Sequence, residues 1–298
     1  MGILGEVGVG PHRVEAGLLL RKSILHSSLL YSAEAWSNIS VKEVRRLEQV
    51  DLHLLKLLLG GHSKCSNVFY HLETGTLMLR HILMIQRMIY HHHILTRNDD
   101  ETIKKVYNKQ KEDTTKGDWY QLLTDDFKFV DEEMNEDSIK SFPKELYKKK
   151  IKALVKKAAL KMYKEKQQTE SKIKDISYEQ LELNEYLKSE MFSKKERELL
   201  VNIRSKCYNA KSNFKRRHLN RTDCTLGCPE TEDQKHIFLN CPKVNEPSDV
   251  TYEDIDGSVI QQKTAVEVFL KIDKKRKQAI EALLPGGDTA RTLAIPCV

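Results

Sequence analysis

The sequence lacks an uninterrupted apolar run long enough to cross a bilayer. The best candidate, from Ala16 to Tyr31, is broken by Arg21 and Lys22, whereas a membrane-spanning helix needs about 20 predominantly apolar residues. The amino-terminal residues also lack the basic region, apolar region and small-residue cleavage site of a secretory leader, in that order. We therefore expect an intracellular protein, in the nucleus, the cytoplasm or both, with no membrane partner.

Glycine and proline are scarce as well. The 298 residues include 13 Gly and 7 Pro, while 31% of the residues are charged and 40% are hydrophobic. A sandwich of short strands needs many turn residues, and a disordered chain needs fewer apolar ones, so this balance argues against both. It favours long charged helices, and we predict a mostly α protein of more than one part.

The first third of the chain has helical periodicity. Apolar residues recur every three or four positions around residues 14–31, 40–61 and 76–95. Ser40 and Glu43 have the spacing of a capping box, and Gly60 and Gly61 supply a stop for the second helix. We predict a helical bundle over residues 1–97.

The remainder divides by charge. Between about residues 97 and 142 the helical periodicity fades, and residues 99–137 contain 13 acidic residues and 6 lysines. We interpret this region as a charged connector with one short helix near Trp119. A lysine-rich amphipathic helix follows, which completes a segment of residues 98–175. Residues 176–245 are predicted to hold a helix of about 177–207 and then a cysteine-rich stretch. Residues 246–298 are predicted to hold a helix of about 263–284 and a flexible tail.

Three of the six cysteines lie close to one histidine. Cys224, Cys228, His236 and Cys241 have the pattern C-x3-C-x7-H-x4-C. In a reducing compartment thiolates serve as metal ligands more often than as disulfides, and three sulfurs and one imidazole complete a tetrahedral zinc shell without water. We predict a small module stabilised by structural Zn²⁺; the alternative is that these are ordinary packed cysteines and a surface histidine.

A basic strip precedes this cluster. Between residues 204 and 221 there are seven Lys or Arg and no acid, with aromatic side chains among them. Such a composition neutralises phosphates and offers aromatic faces to bases, although a solvated basic helix end has the same composition. The predicted nucleic-acid-binding residues are Arg204, Lys206, Lys211, Phe214, Lys215, Arg216, Arg217 and Arg221.

The motifs also have a family resemblance. The stretch "LLYSAEAW" (residues 29–36), followed by "VKEVRRLEQVDLHLLKLLLGGH" and "LETGTLMLRHIL", resembles the region after the catalytic palm in reverse transcriptases of non-LTR (LINE-type) retrotransposons. The stretch "NIRSKCYNAKSNFKRR" with "CTLGCPETEDQKHIFLNCP" is similar to the cysteine–histidine module near the end of the same polyproteins. The resemblance implies a helical thumb, a zinc module, RNA or DNA as partners, and the palm-containing part of a reverse transcriptase as a further partner.

The catalytic aspartates of that family are not matched. They hold two Mg²⁺ ions in a palm hairpin, and the resemblance begins after that hairpin, so we assign no catalytic residue and expect no Mg²⁺. Two acidic pairs, Asp99–Asp100 and Asp125–Asp126, lack the flanking β-branched strands of such a hairpin. The adjacent histidines of residues 91–93 point about 100° apart on a helix, so a shared ion is disfavoured.

Three hypotheses of function follow. The first is a zinc-dependent nucleic-acid-binding portion of a reverse transcriptase that does not polymerise by itself. The second is a polymerase that becomes active when another chain supplies the palm. The third is a protein–protein adaptor in which the apolar helices form the docking face.

Overall fold

The computed structural model describes residues 12–62, 64–210, 223–245 and 248–283. Within these ranges the regular structure is helical, no strand forms, and an isolated antiparallel bridge joins Asp223 to Thr231. The prediction of a mostly α protein is confirmed. No helix in the described ranges has both the length and the apolar character needed to cross a membrane.

Four helices lie in the described part of the first third of the chain. The first, α1, continues through a π-helical turn, Arg21–His26, into a last turn, Ser27–Leu29. The helices are α1 (Arg13–Leu20), α2 (Val41–Leu59), α3 (Asn67–Thr74) and α4 (Leu79–Leu95).

Helix α2 begins and ends at the residues that the sequence indicates. The Ser40 side chain accepts a hydrogen bond from the Glu43 amide, and the Glu43 carboxylate accepts one from the Ser40 amide at 2.7 Å, which completes the predicted capping box. Gly60 ends the helix with a left-handed φ of 63°. A side chain there would also collide with Glu198, which packs against the same turn.

The connector is more ordered than predicted. Where the sequence suggested one short helix, the structure has three: α5 (Thr102–Glu112), α6 (Trp119–Phe129) and α7 (Glu136–Ser141). Tyr107, Trp119 and Phe127 are buried against α4 in a second apolar cluster. One apolar side chain per turn is enough to dock these helices, and the many acidic residues between them hide that spacing from a composition count.

Helix α8 (Lys144–Thr169) joins the two halves of the molecule. Its first buried residues, such as Tyr147 and Ile151, belong to the cluster of the connector helices. Its last ones, Ala159 and Tyr163, belong to the main core. The lysines occupy the outer faces, as the amphipathic pattern predicts.

The main core unites segments that are far apart in sequence. Helix α9 (Glu185–Lys188) and helix α10 (Lys194–Arg204) replace the single helix predicted for residues 177–207, and α11 (Val259–Leu283) begins one turn before its predicted start. Buried side chains of α2, α3, α10 and α11 share one apolar cluster with the cysteine-rich stretch. The predicted segments 1–97, 176–245 and 246–298 therefore meet in one core.

Candidate metal centre

The first two cysteines of the cluster lie on a tight turn. The Cys224 amide donates to the Glu230 carbonyl at 2.9 Å, and the Gly227 amide donates to the Cys224 carbonyl at 3.0 Å. Gly227 has a φ of 82°, a conformation that glycine adopts without strain. The turn brings the sulfur of Cys228 back beside the sulfur of Cys224.

The other two candidate ligands follow a capped turn. The side chain of Asp233 accepts a hydrogen bond of 2.7 Å from the His236 amide at the start of the π-helical turn His236–Asn240. Cys241 is the next residue, in an extended conformation. The wide π-helical turn thus separates the imidazole from the Cys241 thiol and turns both towards the first pair.

The four side chains converge. One ligand atom of each of Cys224, Cys228, His236 and Cys241 lies within 4.8 Å of all the others, and all four residues are buried. The sulfur of Cys241 is 3.9 Å from that of Cys224 and 3.7 Å from that of Cys228. These separations are too long for a disulfide, whose sulfurs are about 2.05 Å apart. The predicted cluster is confirmed as a group that can hold a metal ion.

The separations also fit a particular coordination geometry. Ligands about 2.3 Å from the centre of a tetrahedron are about 3.8 Å from one another, and 2.3 Å is the usual bond length between zinc and a thiolate sulfur. Both measured sulfur–sulfur distances lie within about 0.1 Å of that edge length. A shell of three sulfurs and one nitrogen leaves no ligand position for water, so the arrangement is suited to a structural ion rather than to hydrolysis.

The imidazole of His236 lacks a protein partner of good geometry. Both ring nitrogens are buried, and neither has a hydrogen-bond partner of good geometry among the described residues. A carboxylate oxygen of Glu230 lies 2.6 Å from Nδ1 but outside hydrogen-bond geometry. Buried polar atoms are rarely left unpaired, and a metal-bound histidine is commonly oriented by a carboxylate at its other nitrogen. Glu230 is placed for that role, which leaves Nε2 for an ion.

Burial disfavours the charged form of two of the three thiols. Burial raises the pKa of Cys228, and it also raises that of Cys241. At Cys224 burial is outweighed by hydrogen bonds, first that of the Leu226 backbone amide, which lower its pKa. A bound dication would supply the charge that all three thiolates require.

The cluster is anchored to the main core on one side. Phe238 is buried between the rings of Tyr208 and Phe269, with ring centroids 4.8 and 4.7 Å away. The Glu232 carboxylate accepts hydrogen bonds from the Thr225 amide and from Arg276 of α11, both at 2.7 Å. Packing and a buried ion pair therefore position the segment that carries the ligands.

The predicted basic strip is described only at its start. Lys206 is half-exposed and lies 2.9 Å from Asp175. Six of the predicted nucleic-acid-binding residues lie outside the described residues: Lys211, Phe214, Lys215, Arg216, Arg217 and Arg221. Their role stays a prediction.

The structure corrects the prediction for Arg204. Its side chain is 3% exposed, and Nε lies 3.0 Å from a carboxylate oxygen of Glu73, which is fully buried. The guanidinium also contacts Asp256 and donates to the Ile255 carbonyl at 2.9 Å. Arg204 is thus an internal ion-pair partner and is not placed to meet a phosphate.

Basic residues of α11 lie beside the cluster, and they are not among the binding residues predicted from the sequence. A cleft of about 430 Å³ runs between α11 and the chain that follows Cys241. It is lined by Val244, Ser248, Val268, Lys271, Ile272, Lys274, Lys275 and Gln278. Helical spacing of these lysines on one face was visible in the sequence, but their position next to the cluster was not.

Three other ionisable groups considered in the sequence, Asp126, His91 and His92, have structural partners. Asp126 pairs with Arg87 at 2.6 Å inside the second apolar cluster. Nε2 of His91 lies 2.9 Å from the Tyr107 hydroxyl, and Nε2 of His92 lies 2.9 Å from the Phe142 carbonyl. Across the described ranges, no second group of three or more His, Cys, Asp or Glu side chains is arranged to share an ion.

Comparison with protein-family models, with curated proteins and with solved structures finds no match to this chain.

Proposed function

We propose that this chain is a nucleic-acid-binding portion of a non-LTR retrotransposon-type reverse transcriptase, held in shape at its cysteine–histidine cluster by one structural Zn²⁺. The observation that carries the proposal is the convergence of three sulfurs and one buried imidazole within 4.8 Å of one another, with both sulfur–sulfur distances from Cys241 close to the edge of a tetrahedral zinc shell. Zinc suits this donor set because it prefers thiolate and imidazole ligands and has no redox chemistry of its own.

Nucleic acid is the partner that the charge around the cluster supports. The predicted basic strip directly precedes the cluster in the sequence, with residues 211–221 outside the described ranges, and the lysine-lined cleft of α11 borders the residues that follow Cys241. Lysine and arginine side chains that neutralise phosphates release counterions, which makes binding tight at low salt and weak at high salt. The buried cluster would act as a rigid support next to these basic residues.

The resemblance to reverse transcriptases supports the family origin. In the proposal, the helices of residues 13–95 correspond to the thumb, and the zinc cluster to the carboxy-terminal module. Polymerisation would need the metal-binding aspartates of a palm, which this sequence does not match. The proposed activity is therefore binding of RNA or DNA.

The zinc proposal is tested by metal stoichiometry. Protein purified without a metal-affinity step should contain one zinc per chain, and Cys228→Ser should lose most of it. Cys65→Ser is the matched control, because it makes the same chemical change at a buried cysteine outside the cluster. Zinc well below one equivalent in the wild-type chain, or full retention by Cys228→Ser, would contradict the proposal.

The nucleic-acid proposal is tested by the salt dependence of binding. We expect Lys271→Glu with Lys274→Glu to weaken binding of a short oligonucleotide and to reduce the slope of log K against log salt by about 1 for each lost phosphate contact. The matched control is Lys105→Glu with Lys152→Glu, which reverses the charge of two exposed lysines on α5 and α8. Equal losses in the two double variants would show nonspecific attraction to net charge, and binding indifferent to salt would reject the proposal.

A further inference from the structure

Two clefts border the chain that follows Cys241, and they adjoin at Ser248. The first is the lysine-lined cleft of about 430 Å³ beside α11, which we call the basic cleft. The second, of about 440 Å³, is lined by residues of the segments 238–242 and 250–253, and we call it the Tyr252 pocket. Because Ser248 lines both, a ligand that fills one can continue into the other.

The basic cleft combines an apolar floor with a cationic rim. Val244 and Ile272 are buried, each with an exposure of 6%, and Val268 is half-buried. Lys271 and Lys274 are exposed on α11 beside them. Among the described residues, no acidic side chain lines this cleft. The rim therefore favours a phosphate, and the floor favours an apolar group of the same ligand.

The Tyr252 pocket has a different lining. Leu239, Val250 and Tyr252 contribute half-buried side chains to it. The Tyr252 hydroxyl donates a hydrogen bond of 3.1 Å to the side-chain oxygen of Gln234, which holds the ring in place. Glu253 also lines the pocket, whereas no lysine or arginine of the described chain does. A phosphate is thus disfavoured there, and a neutral base, which stacks on aromatic rings, is favoured.

We propose that the two clefts together bind an unpaired strand of nucleic acid, with a phosphate at Lys271 and Lys274 and a base in the Tyr252 pocket. This inference rests on the proposed function and specifies the form of the ligand. In a duplex the bases are paired and stacked, and placing one in a pocket costs the energy of flipping it out. In a single strand a base can be splayed out and stacked on an aromatic side chain without that cost.

Attraction between charges alone predicts the opposite preference. A duplex carries phosphates at a higher density than a single strand, and it releases more counterions for the same number of contacts. Exposed lysines without a neighbouring pocket would therefore favour the duplex. A preference for the single strand reports contacts with bases rather than with phosphates.

Competition between single and double strands tests the inference on the full chain as purified with its metal. The probe is a labelled DNA strand of about 12 nucleotides without self-complementarity, and the competitors are the unlabelled strand and its duplex. We expect the strand to bind at least about tenfold more tightly than the duplex at equal salt, as stacking of one base provides. The same competition is run with RNA.

The outcomes separate this inference from the proposed function. A duplex that competes as well as the strand, in both DNA and RNA, would overturn the inference while salt-dependent binding would leave the proposed function standing. Absence of salt-dependent binding of either form would reject both.

Variants of Tyr252 test the pocket itself. Tyr252→Leu removes the ring and should weaken single-strand binding about tenfold, with little change for the duplex, while Tyr252→Phe keeps the ring and should bind the strand within about threefold of the wild type. Tyr31→Leu makes the same change at a tyrosine that is 80% exposed, and it is the matched control. Zinc content verifies that the neighbouring cluster stays folded in each variant. Equal losses for strand and duplex in Tyr252→Leu, or no loss for the strand, would overturn the inference.

Discussion

The segment from Asp223 to Asn245 and the helices beneath it differ in what fixes their conformation. The helices bury apolar side chains in clusters that link distant parts of the chain, and α2 and α10 each carry a capping box. The segment has one isolated bridge, one π-helical turn and few apolar anchors, chief among them Ile237 and Phe238. Its four ligand-type side chains converge where a larger domain would have an apolar core.

This difference indicates that the segment is stabilised locally, whereas the helices stabilise one another. A short loop cannot bury enough apolar surface to order itself, so a metal ion supplies the missing free energy in such modules. The helices depend on packing and on buried ion pairs that persist whether or not an ion is bound. The comparison can be tested by perturbing each kind of contact in turn.

Metal removal should produce the largest effect, and it should be confined to one region. A chelator should abolish the hydrogen-exchange protection of residues 223–245, with a local loss on the order of 5 kcal/mol or more, because the ion holds the turn and the π-helical turn together. Amides of α4 and α8 should keep their protection. Mass-spectrometric hydrogen exchange with and without the chelator measures both regions at once.

The control for this experiment is Cys228→Ser, which should already lack the metal. Adding the chelator to this variant should not change its hydrogen-exchange protection further. Uniform loss of protection across α4 and α8 would mean that the metal supports the whole core. Unchanged protection of residues 223–245 would mean that packing around Phe238 suffices without the ion.

Breaking the buried pair of Arg204 and Glu73 should produce the next largest effect. Arg204→Met leaves the Glu73 carboxylate buried without its cation, which costs about 3–5 kcal/mol. The Tyr178 hydroxyl still donates to Glu73 at 2.6 Å but cannot neutralise it. Adding Glu73→Gln should restore more than half of the loss, as measured by urea unfolding.

The Arg204→Met variant also tests whether Arg204 takes part in nucleic-acid binding. Arg204 is buried, so the folded Arg204→Met chain should bind an oligonucleotide with an unchanged salt slope. A loss below about 1 kcal/mol in unfolding would show that the ion pair is not needed for stability. A reduced salt slope would indicate that Arg204 does contact nucleic acid.

Acid should weaken a third buried contact, in the first helices. Arg21 donates to both carboxylate oxygens of Asp51, at 2.7 and 2.5 Å, and His26 Nε2 lies 2.8 Å from one of them. Burial opposes ionisation of Asp51, but the hydrogen bonds of His26 and Arg21 outweigh it and lower the pKa to about 2. A carboxyl group with a lowered pKa stabilises the fold above the unfolded-state pKa, near 4, and loses that contribution as the pH falls through 2.

The matched variant is Asp51→Asn, which cannot titrate. The difference in unfolding free energy between the two chains should be largest above pH 4 and should narrow by about 2 kcal/mol as the pH falls to 2. Urea unfolding across this range measures it, and loss of metal in acid affects both chains equally. A difference that stays constant with pH would contradict the assigned pKa.

Local signals in the sequence predicted the parts of the fold that local interactions fix. The capping residues Ser40 and Glu43 marked the start of α2, and glycine marked its end. The four metal-site residues lie within 18 positions, so their spacing alone predicted the cluster. Hydrogen bonds and chelation at short sequence separation leave a readable pattern.

Contacts between distant residues were not predictable in this way. Arg204 belongs to a basic stretch whose composition is typical of a surface. Its burial depends on Glu73, which lies 131 positions earlier. The connector helices were underestimated because each docks by a few side chains whose partners lie on α4.

The smallest expected effect concerns the capping boxes of α2 and α10. Ser40→Ala and Ser193→Ala should each cost about 1 kcal/mol, because each removes the acceptor for an amide in the first turn. The caps differ in one respect: Glu196 of the second box also pairs with Lys263 of α11 at 2.7 Å, while Glu43 lies on the surface. Glu196→Ala should therefore destabilise the chain more than Glu43→Ala in thermal unfolding, with Ser37→Ala as a control near zero. Equal losses at the two glutamates would show that the contact to α11 adds nothing to the cap.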